Sequence, residues 1–442
     1  MVISLSDKFN YGRLLRFTLP SIIMMVFTSV YGVVDGFFVS NYAGKTPFAA
    51  LNFIMPFLMI LGPIGFMFGT GGSALIAKTL GEGSREKANS LFSLLVAATV
   101  VCSVIISVLG IIFIRPIAAA LGAEGEMLDY CVLYGRILLL SMPFQMLQFE
   151  FQSFFVTAEV PKLGLICSLF SGIANMVMDF VFLALLRWGL AGAALATAIS
   201  QIIGGIFPII YFLRENSSLL QLTKPKMDFK ALVKTCTNGS SELMSNISMS
   251  LVGMLYNVQL INLAGQDGVA AYGVIMYVNF IFISAFIGYS IGVAPVISYN
   301  LGAQNFDELK SLKKKSTNII AVFSVCMFLM ALFLAKPLAS IFVSYDKALF
   351  DLTVHAFIIY SFSFLFAGFA IFGSSFFTAL NDGLISAIIS FLRTLVFQVA
   401  AVLLLPLILG LDGIWYSIIA SEALATLVTA LFIILKRKKY RY

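Results

Sequence analysis

Residues 14–40 read LLRFTLPSIIMMVFTSVYGVVDGFFVS. At ~1.5 Å per residue this run crosses a hydrocarbon layer of ~30 Å as one helix. Asp35 lies inside it. Burying a carboxylate at that depth is costly, and a chain keeps such a group when it binds a proton, a metal ion or a cation. The plainer alternative is an aspartate that snorkels to the nearby surface or pairs with Asn41.

Composition extends the reading to the whole chain. Of 442 residues, 60% are hydrophobic and 11% are charged, with a mean hydropathy of +1.00. A soluble domain carries roughly 25% charged residues. Twelve apolar spans follow one another at about 14–40, 49–77, 90–114, 129–155, 162–187, 190–213, 232–264, 270–298, 316–335, 348–378, 384–408 and 411–435. None alternates as a strand would, and every backbone amide in lipid must be paired internally, so helices are predicted and a barrel is not. The fold class is an all-α polytopic membrane protein with twelve transmembrane helices. No connection is long enough for a soluble domain; the longest, 214–230, is polar and basic.

Lys and Arg set the orientation. One side holds Lys8, Arg13, Arg16, Lys78, Arg85, Lys87, Lys162, the 214–234 cluster, Lys310, Lys313, Lys314, Lys315 and the tail from Lys436 to Arg441. The other holds only Lys45, Arg115, Arg187, Lys336 and Lys347. The positive-inside rule places both termini in the cytoplasm and the chain in the cell (inner) membrane. The net charge of +7 reflects this topology and attraction to anionic lipid, not nucleic acid. The first span lacks a cleavage site and is no cleavable signal. Five cysteines, in or beside spans, suggest no disulfide. A single His355, with no phosphate-binding loop or metal-ligand spacing, predicts no catalytic residues, no metal and no cofactor, hence no enzyme and no use of ATP.

A shift of 221 residues superimposes the two halves. Gly44 meets Gly265, Leu80-Gly81 meets Leu301-Gly302, Pro116 meets Pro337, Thr157-Ala158 meets Thr378-Ala379, and Gly189-Leu190 meets Gly410-Leu411. Each half has six spans and inserts in the same orientation, so the halves are parallel repeats about an axis along the membrane normal. The predicted lobes are an N-lobe at 1–221 and a C-lobe at 222–442, enclosing a cavity whose access alternates as they rock. The repeats differ where function is expected. Asp35 faces Tyr256 in the alignment, Asp179 faces Ala400, and Asn175 faces Val396. Asp35, Asp179 and Thr197 lie at similar depth in the outer half of the first lobe, with Asn175 one helical turn from Asp179. Such groups can satisfy one another, and two neighbouring carboxyls in low dielectric cannot both ionise cheaply. A proton or Na⁺ suits the site, and the residues leave that choice open.

Other intramembrane charges are Glu150, Glu242, and the midplane pair Arg393 and Glu422. The first two lie where an inward-open cavity is wet and suit a cationic substrate, or else a local structural role. Arg393 and Glu422 are expected to pair with each other. Met55, Phe154, Tyr256, Tyr277 and Tyr289 are candidate liners of a soft, aromatic pocket for flat cations.

Several stretches together resemble the multidrug and toxic compound extrusion family: VYGVVDGFFVS at 30–40, GTGGSALIAKTLG at 69–81, ANMVMDFVFL at 174–183, WGLAGAALATAIS at 188–200 and GVAPVISYNLGA at 292–303. The resemblance covers nearly the whole chain. It implies two six-helix lobes and export of drugs or toxins driven by H⁺ or Na⁺. It places Asp35 and Asp179 at the cation site with Asn175 and Thr197 as hydrogen-bonding partners, and leaves the helix 4 partner to Gln148 or Gln152. The branch with a glutamate deep in helix 7 is not matched; Met249 stands near that position. The expected partners are small cationic drugs and membrane lipid, and the expected state is a monomer. The rivals are a lipid-linked precursor flippase, which would want a cationic cavity, a substrate-specific metabolite exporter of the same two-lobe fold, and a membrane-embedded enzyme or scaffold.

Overall fold

The computed structural model describes residues 3–43 and 45–442, with backbone alone at 40, 45, 48 and 52. The repeat position Gly44 lies outside the described residues. Among those described there is no strand. Helix α1 is Tyr11–Tyr42, capped by the Asn10 side chain accepting from the Arg13 N–H at 2.8 Å. Helix α2 runs as Lys45–Leu61 and Ile64–Gly81, broken at Gly62-Pro63. Then come α3 (Arg85–Ala120), α4 (Gly125–Thr157), α5 (Pro161–Asp179 and the π turn Phe180–Leu185) and α6 (Gly189–Leu213).

The second half opens with a 74-residue helix, Phe229–Gly302, divided at Gly265. At ~1.5 Å per residue it is far longer than one bilayer crossing. Gly265 turns it back with φ 63° and ψ −150°, a conformation that only glycine adopts readily. Its arms, 229–264 and 266–302, are α7 and α8. Helix α9 is Phe306–Val343. Helix α10 is Lys347–Ser361 with Phe364–Ala379, bent by 49°. Helix α11 is Gly383–Phe391, the π turn Leu392–Val396 and Phe397–Leu409; α12 is Leu411–Tyr440. Among the described residues, ten helices pass as membrane-crossing by length and composition, and the bent pair adds an eleventh. Counting Phe229–Gly302 as two crossings gives twelve, as the sequence predicts.

The duplication is visible in the backbone. Gly189 and Gly410, repeat mates, both take φ 58° between the last two helices of their lobes. Gly83 and Gln304, also mates, both have positive φ at the turn after the second helix of each lobe. The spacing slips by one residue at Glu159 and Asn381, which carry the positive φ after α4 and α10.

The lobes meet at the end that carries both termini. A Cβ at Gly81 would lie 2.0 Å from Tyr299 O, and one at its mate Gly302 would lie 2.0 Å from Lys78 O. Gly71 of α2 meets Gly239 of α7 in the same way. Only glycine lets these backbones approach so closely. At this end one apolar cluster joins Leu5, Phe9, Phe17 and Met25 of the first half to Tyr289, Ile320 and Phe376 of the second. Away from it the clusters are private. One built on Ile54, Leu139 and Met142 belongs to the first lobe, and one on Tyr256, Tyr360 and Trp415 belongs to the second. Gly32, Gly36, Gly253 and Gly273 there face open space. The molecule is therefore closed at the terminal end and parted at the other.

The N-terminal segment straps the closed end. Ser4 Oγ donates to Glu159 Oε1 at 2.6 Å in the first lobe, and the Phe9 N–H donates to Glu308 Oε1 at 3.0 Å in the second. Lys315 Nζ donates to Phe9 O. Asn381 adds a link by donating from Nδ2 to Ala74 O at 3.2 Å.

Candidate cation site

Helix α5 can lie close to α1 because position 172 is glycine. A Cβ there would sit 2.5 Å from Phe27 Cε1 and 2.9 Å from Tyr31 Cδ1. Three and seven residues on, Asn175 and Asp179 are turned inward and buried. Asp179 is the last α-helical residue before the π turn. Such a turn inserts a residue and re-aims the side chains beside it, and is frequent at functional sites.

The Asp179 and Asp35 carboxyls face each other within electrostatic reach. Two ionised carboxylates can only accept, so the contact is satisfied only with a proton, or another cation, between them. The rest of the site repeats this demand. Asp35 Oδ1, both oxygens of Asp179, the Oδ1 and Nδ2 of Asn175 and Thr197 Oγ1 are buried without a protein partner. Buried polar groups are almost always paired in native structures. A concentration of unpaired oxygens in one lobe therefore marks a place for a small cation. Oxygen donors of this kind suit H⁺ or Na⁺, and among the described residues no His, Cys, Asp and Glu gather as a transition-metal site would require.

Two tyrosines that sequence reasoning passed over complete the surroundings. Tyr134 on α4 is buried, and its phenol lies within electrostatic reach of both Asp35 and Asp179. Tyr31, one turn before Asp35, lies within reach of it. Tyr134 sits about 14 Å into α4 by helical rise. That matches the depth of the acids, but depth alone does not single out one tyrosine among the 16 in the chain. The expected helix 4 groups lie elsewhere: Gln148 donates to Ser171 Oγ at 3.3 Å, and Ser171 Oγ donates to Ser200 O at 2.7 Å. Gln152 is buried with Oε1 unpaired.

Of the remaining candidates, some lie deep in one lobe. Phe154 is sealed in the first, 5.2 Å from the Phe92 ring. Tyr256 is sealed in the second, bonded to Ser417 at 2.7 Å and stacked on Tyr272 at 5.1 Å. Tyr289 is sealed too, donating to Ser316 Oγ at 2.8 Å. None of these three faces open space here: Phe154 and Tyr256 sit in clusters within their lobes and Tyr289 in the cluster that joins the lobes. Tyr277 is exposed but stacks on Phe342 of α9, 6.1 Å away, on the flank of its own lobe. Met55 is half-buried on α2.

Glu150 is fully buried beside Thr99 of α3, with both oxygens unpaired, and lies in no open space. Glu242 on α7 is half-buried, near Arg393. Arg393 lies in the π turn of α11 and donates through Nε to both oxygens of Glu422, at 3.0 and 2.8 Å, as the sequence predicts.

Known proteins give the same architecture. The MatE family model matches residues 20–181 and again 243–404, one match in each lobe. The multidrug export protein MepA of Staphylococcus saprophyticus subsp. saprophyticus is 26% identical over 430 residues, 97% of this chain and 94% of the relative. The crystal structure of a MATE protein in complex with MaL6 superimposes with a TM-score of 0.93 at 21% identity, covering 98% of both chains. An outward-facing multidrug resistance MATE transporter of the MOP superfamily gives 0.93 at 21% identity, covering 98% of this chain and 97% of that one. The chain is a transporter of the multidrug and toxic compound extrusion (MATE) family.

Proposed function

We propose that the protein is a secondary active antiporter that exports cationic, amphipathic drugs or toxins in exchange for H⁺ taken up at Asp35 and Asp179. The observation that carries this reading is the buried Asp179 carboxyl facing the half-buried Asp35 in a shell of unpaired polar atoms. With cytoplasmic termini, the parted end of the molecule faces outward, and the Asp35 pair lies in that outer half. A proton arriving from outside neutralises the pair, lets α1 settle against α5 and α6, and shrinks the space left for a bound drug. Substrate and cation then compete in time, each biasing the equilibrium by its differential affinity for the two states.

The second lobe supports this division of labour. Where the first lobe holds an exchangeable cation, the second carries a permanent one, the Arg393 guanidinium on Glu422. Only one lobe then has to titrate. Glu242, half-buried and lacking a hydrogen bond to its carboxylate among the described residues, is the acid that a cationic drug would meet. The fully sealed Glu150 serves the interior of its own lobe. Asn175 and Thr197 hold the cation from the side, and Tyr134 joins them as the helix 4 partner. Met55 lines the path. We place the lobe boundary at 221/222, within the linker, and the working unit is a monomer in the cell membrane.

Asp35→Asn tests the reading. An amide is cheaper to bury than a carboxylate, so expression and folding should hold while drug efflux from cells is lost. Wild-type resistance in the mutant would refute the assignment. Na⁺ is the second reading, favoured by the all-oxygen donor set; transport that follows a Na⁺ gradient and ignores a pH gradient would select it.

A further inference from the structure

A second concentration of charge lies at the terminal end. Between the start of α9 and the end of α12 is a pocket of about 320 Å³ lined by Lys310, Lys313, Lys314, Thr317, Asn318, Arg437 and Tyr442. Four cations share it. Among the described residues none of the four forms an ion pair, and Lys313 lies within electrostatic reach of both Arg437 and Lys310. The nearby acids are engaged elsewhere: Glu308 accepts from the Phe9 N–H and Asp382 from Lys439 and Tyr440. Asp307, one turn before Lys310, makes no ion pair with it.

The cationic wall is held in place rather than free to disperse. Tyr442 is buried, 5.0 Å from the Phe376 ring, and donates to Ile433 O at 3.0 Å. Lys313 Nζ lies over the Tyr442 ring at 5.4 Å. The second piece of α10 packs against both α9 and α12 and floors the space between them. Farther along both helices the exposed residues turn apolar: Val322, Val325 and Leu329 on α9, Leu427, Leu431 and Ile434 on α12. A cationic hollow with hydroxyl and amide donors, on helices whose exposed faces turn apolar farther along, suits an anionic headgroup above its acyl chains. We infer that this pocket between α9 and α12 binds the phosphate-bearing headgroup of an anionic membrane lipid.

Native mass spectrometry on the full chain from nanodiscs tests the inference, with phosphatidylglycerol against phosphatidylcholine as probes. The variant Lys313→Gln/Lys314→Gln/Arg437→Gln should weaken retained phosphatidylglycerol on the order of 100-fold, at roughly fivefold per cation removed near a charged surface. The variant Lys224→Gln/Lys226→Gln/Lys230→Gln removes equal charge around the start of α7 and should change retention less than about twofold, since none of these lysines lines the pocket between α9 and α12. If the triple variant does not fold, Lys314→Gln alone, at an exposed position, should lose about fivefold. Equal losses in the pocket and linker variants, or none in the pocket variants, overturn the inference. So does displacement of the lipid by excess inorganic phosphate that itself binds in phosphatidylcholine discs, which would make this a free-anion site.

Discussion

The role proposed for Asp179 rests on the residues folded around it. Its carboxyl faces Asp35 from a neighbouring helix, Asn175 lies one turn away, and the Tyr134 phenol closes the view from a third helix. Three of these four positions were legible in the sequence, because an acid or amide in an apolar span has few other reasons to be there. Tyr134 was not, since tyrosine is unremarkable in a membrane helix and only the fold reveals which acids it faces. The same limit explains Phe154, Tyr256 and Tyr289: composition supplies an aromatic inventory, and packing decides which members are sealed. Replacing Tyr134 with Phe should leave expression and fold intact and move the pH midpoint at which external protons release a bound cationic dye. An unchanged midpoint would remove Tyr134 from the site.

At the scale of elements, the twelve spans and the 221-residue repeat were readable because hydropathy and landmark spacing survive without side-chain detail. The breaks were not. No residue pattern announced the π turns at 180–185 and 392–396 or the bend within α10. These arise from packing against neighbours rather than from local propensity. The glycines at the closed end were visible as repeat landmarks, and the structure supplies their reason. Gly81→Val, or its mate Gly302→Val, should disfavour the closed terminal end by about 1–3 kcal/mol of overpacking. Hydrogen exchange at the ends of α2 and α8 should rise and efflux should fall; unchanged exchange would mean the backbones do not press together there.

The tail of α12 gives a pH-dependent contact outside the membrane. Burial pushes the Asp382 carboxyl up, but the Tyr440 hydroxyl at 2.6 Å and the Lys439 ammonium at 3.3 Å outweigh it and hold the group below its ordinary value of 3.8. A depressed carboxyl stabilises above the unfolded value and loses that contribution as pH falls through the folded one. Hydrogen exchange in the 436–442 segment should therefore stay slow at neutral pH and quicken only on acidification below about 4. Quickening near pH 6 would indicate another group.

The whole molecule is two lobes of one repeat, locked together at the end with the termini and parted at the other. The strap from Ser4 to Phe9 spans both lobes there, holding Glu159 on one side and Glu308 on the other. Any state open at that end must release it, together with the glycine contacts and the Asn381 link. The frame is symmetric but its charges are not: one lobe holds facing carboxyls, where the proposed exchange takes place, and the other a fixed guanidinium–carboxylate pair. The decisive measurement is proton release when a cationic dye is added to purified protein in weakly buffered detergent near neutral pH, followed with a pH indicator. The account predicts about one proton released per dye bound by the wild type and none by Asp35→Asn, because binding and protonation are reciprocally linked. Dye binding that releases no proton from the wild type, or the same number from Asp35→Asn, would contradict it.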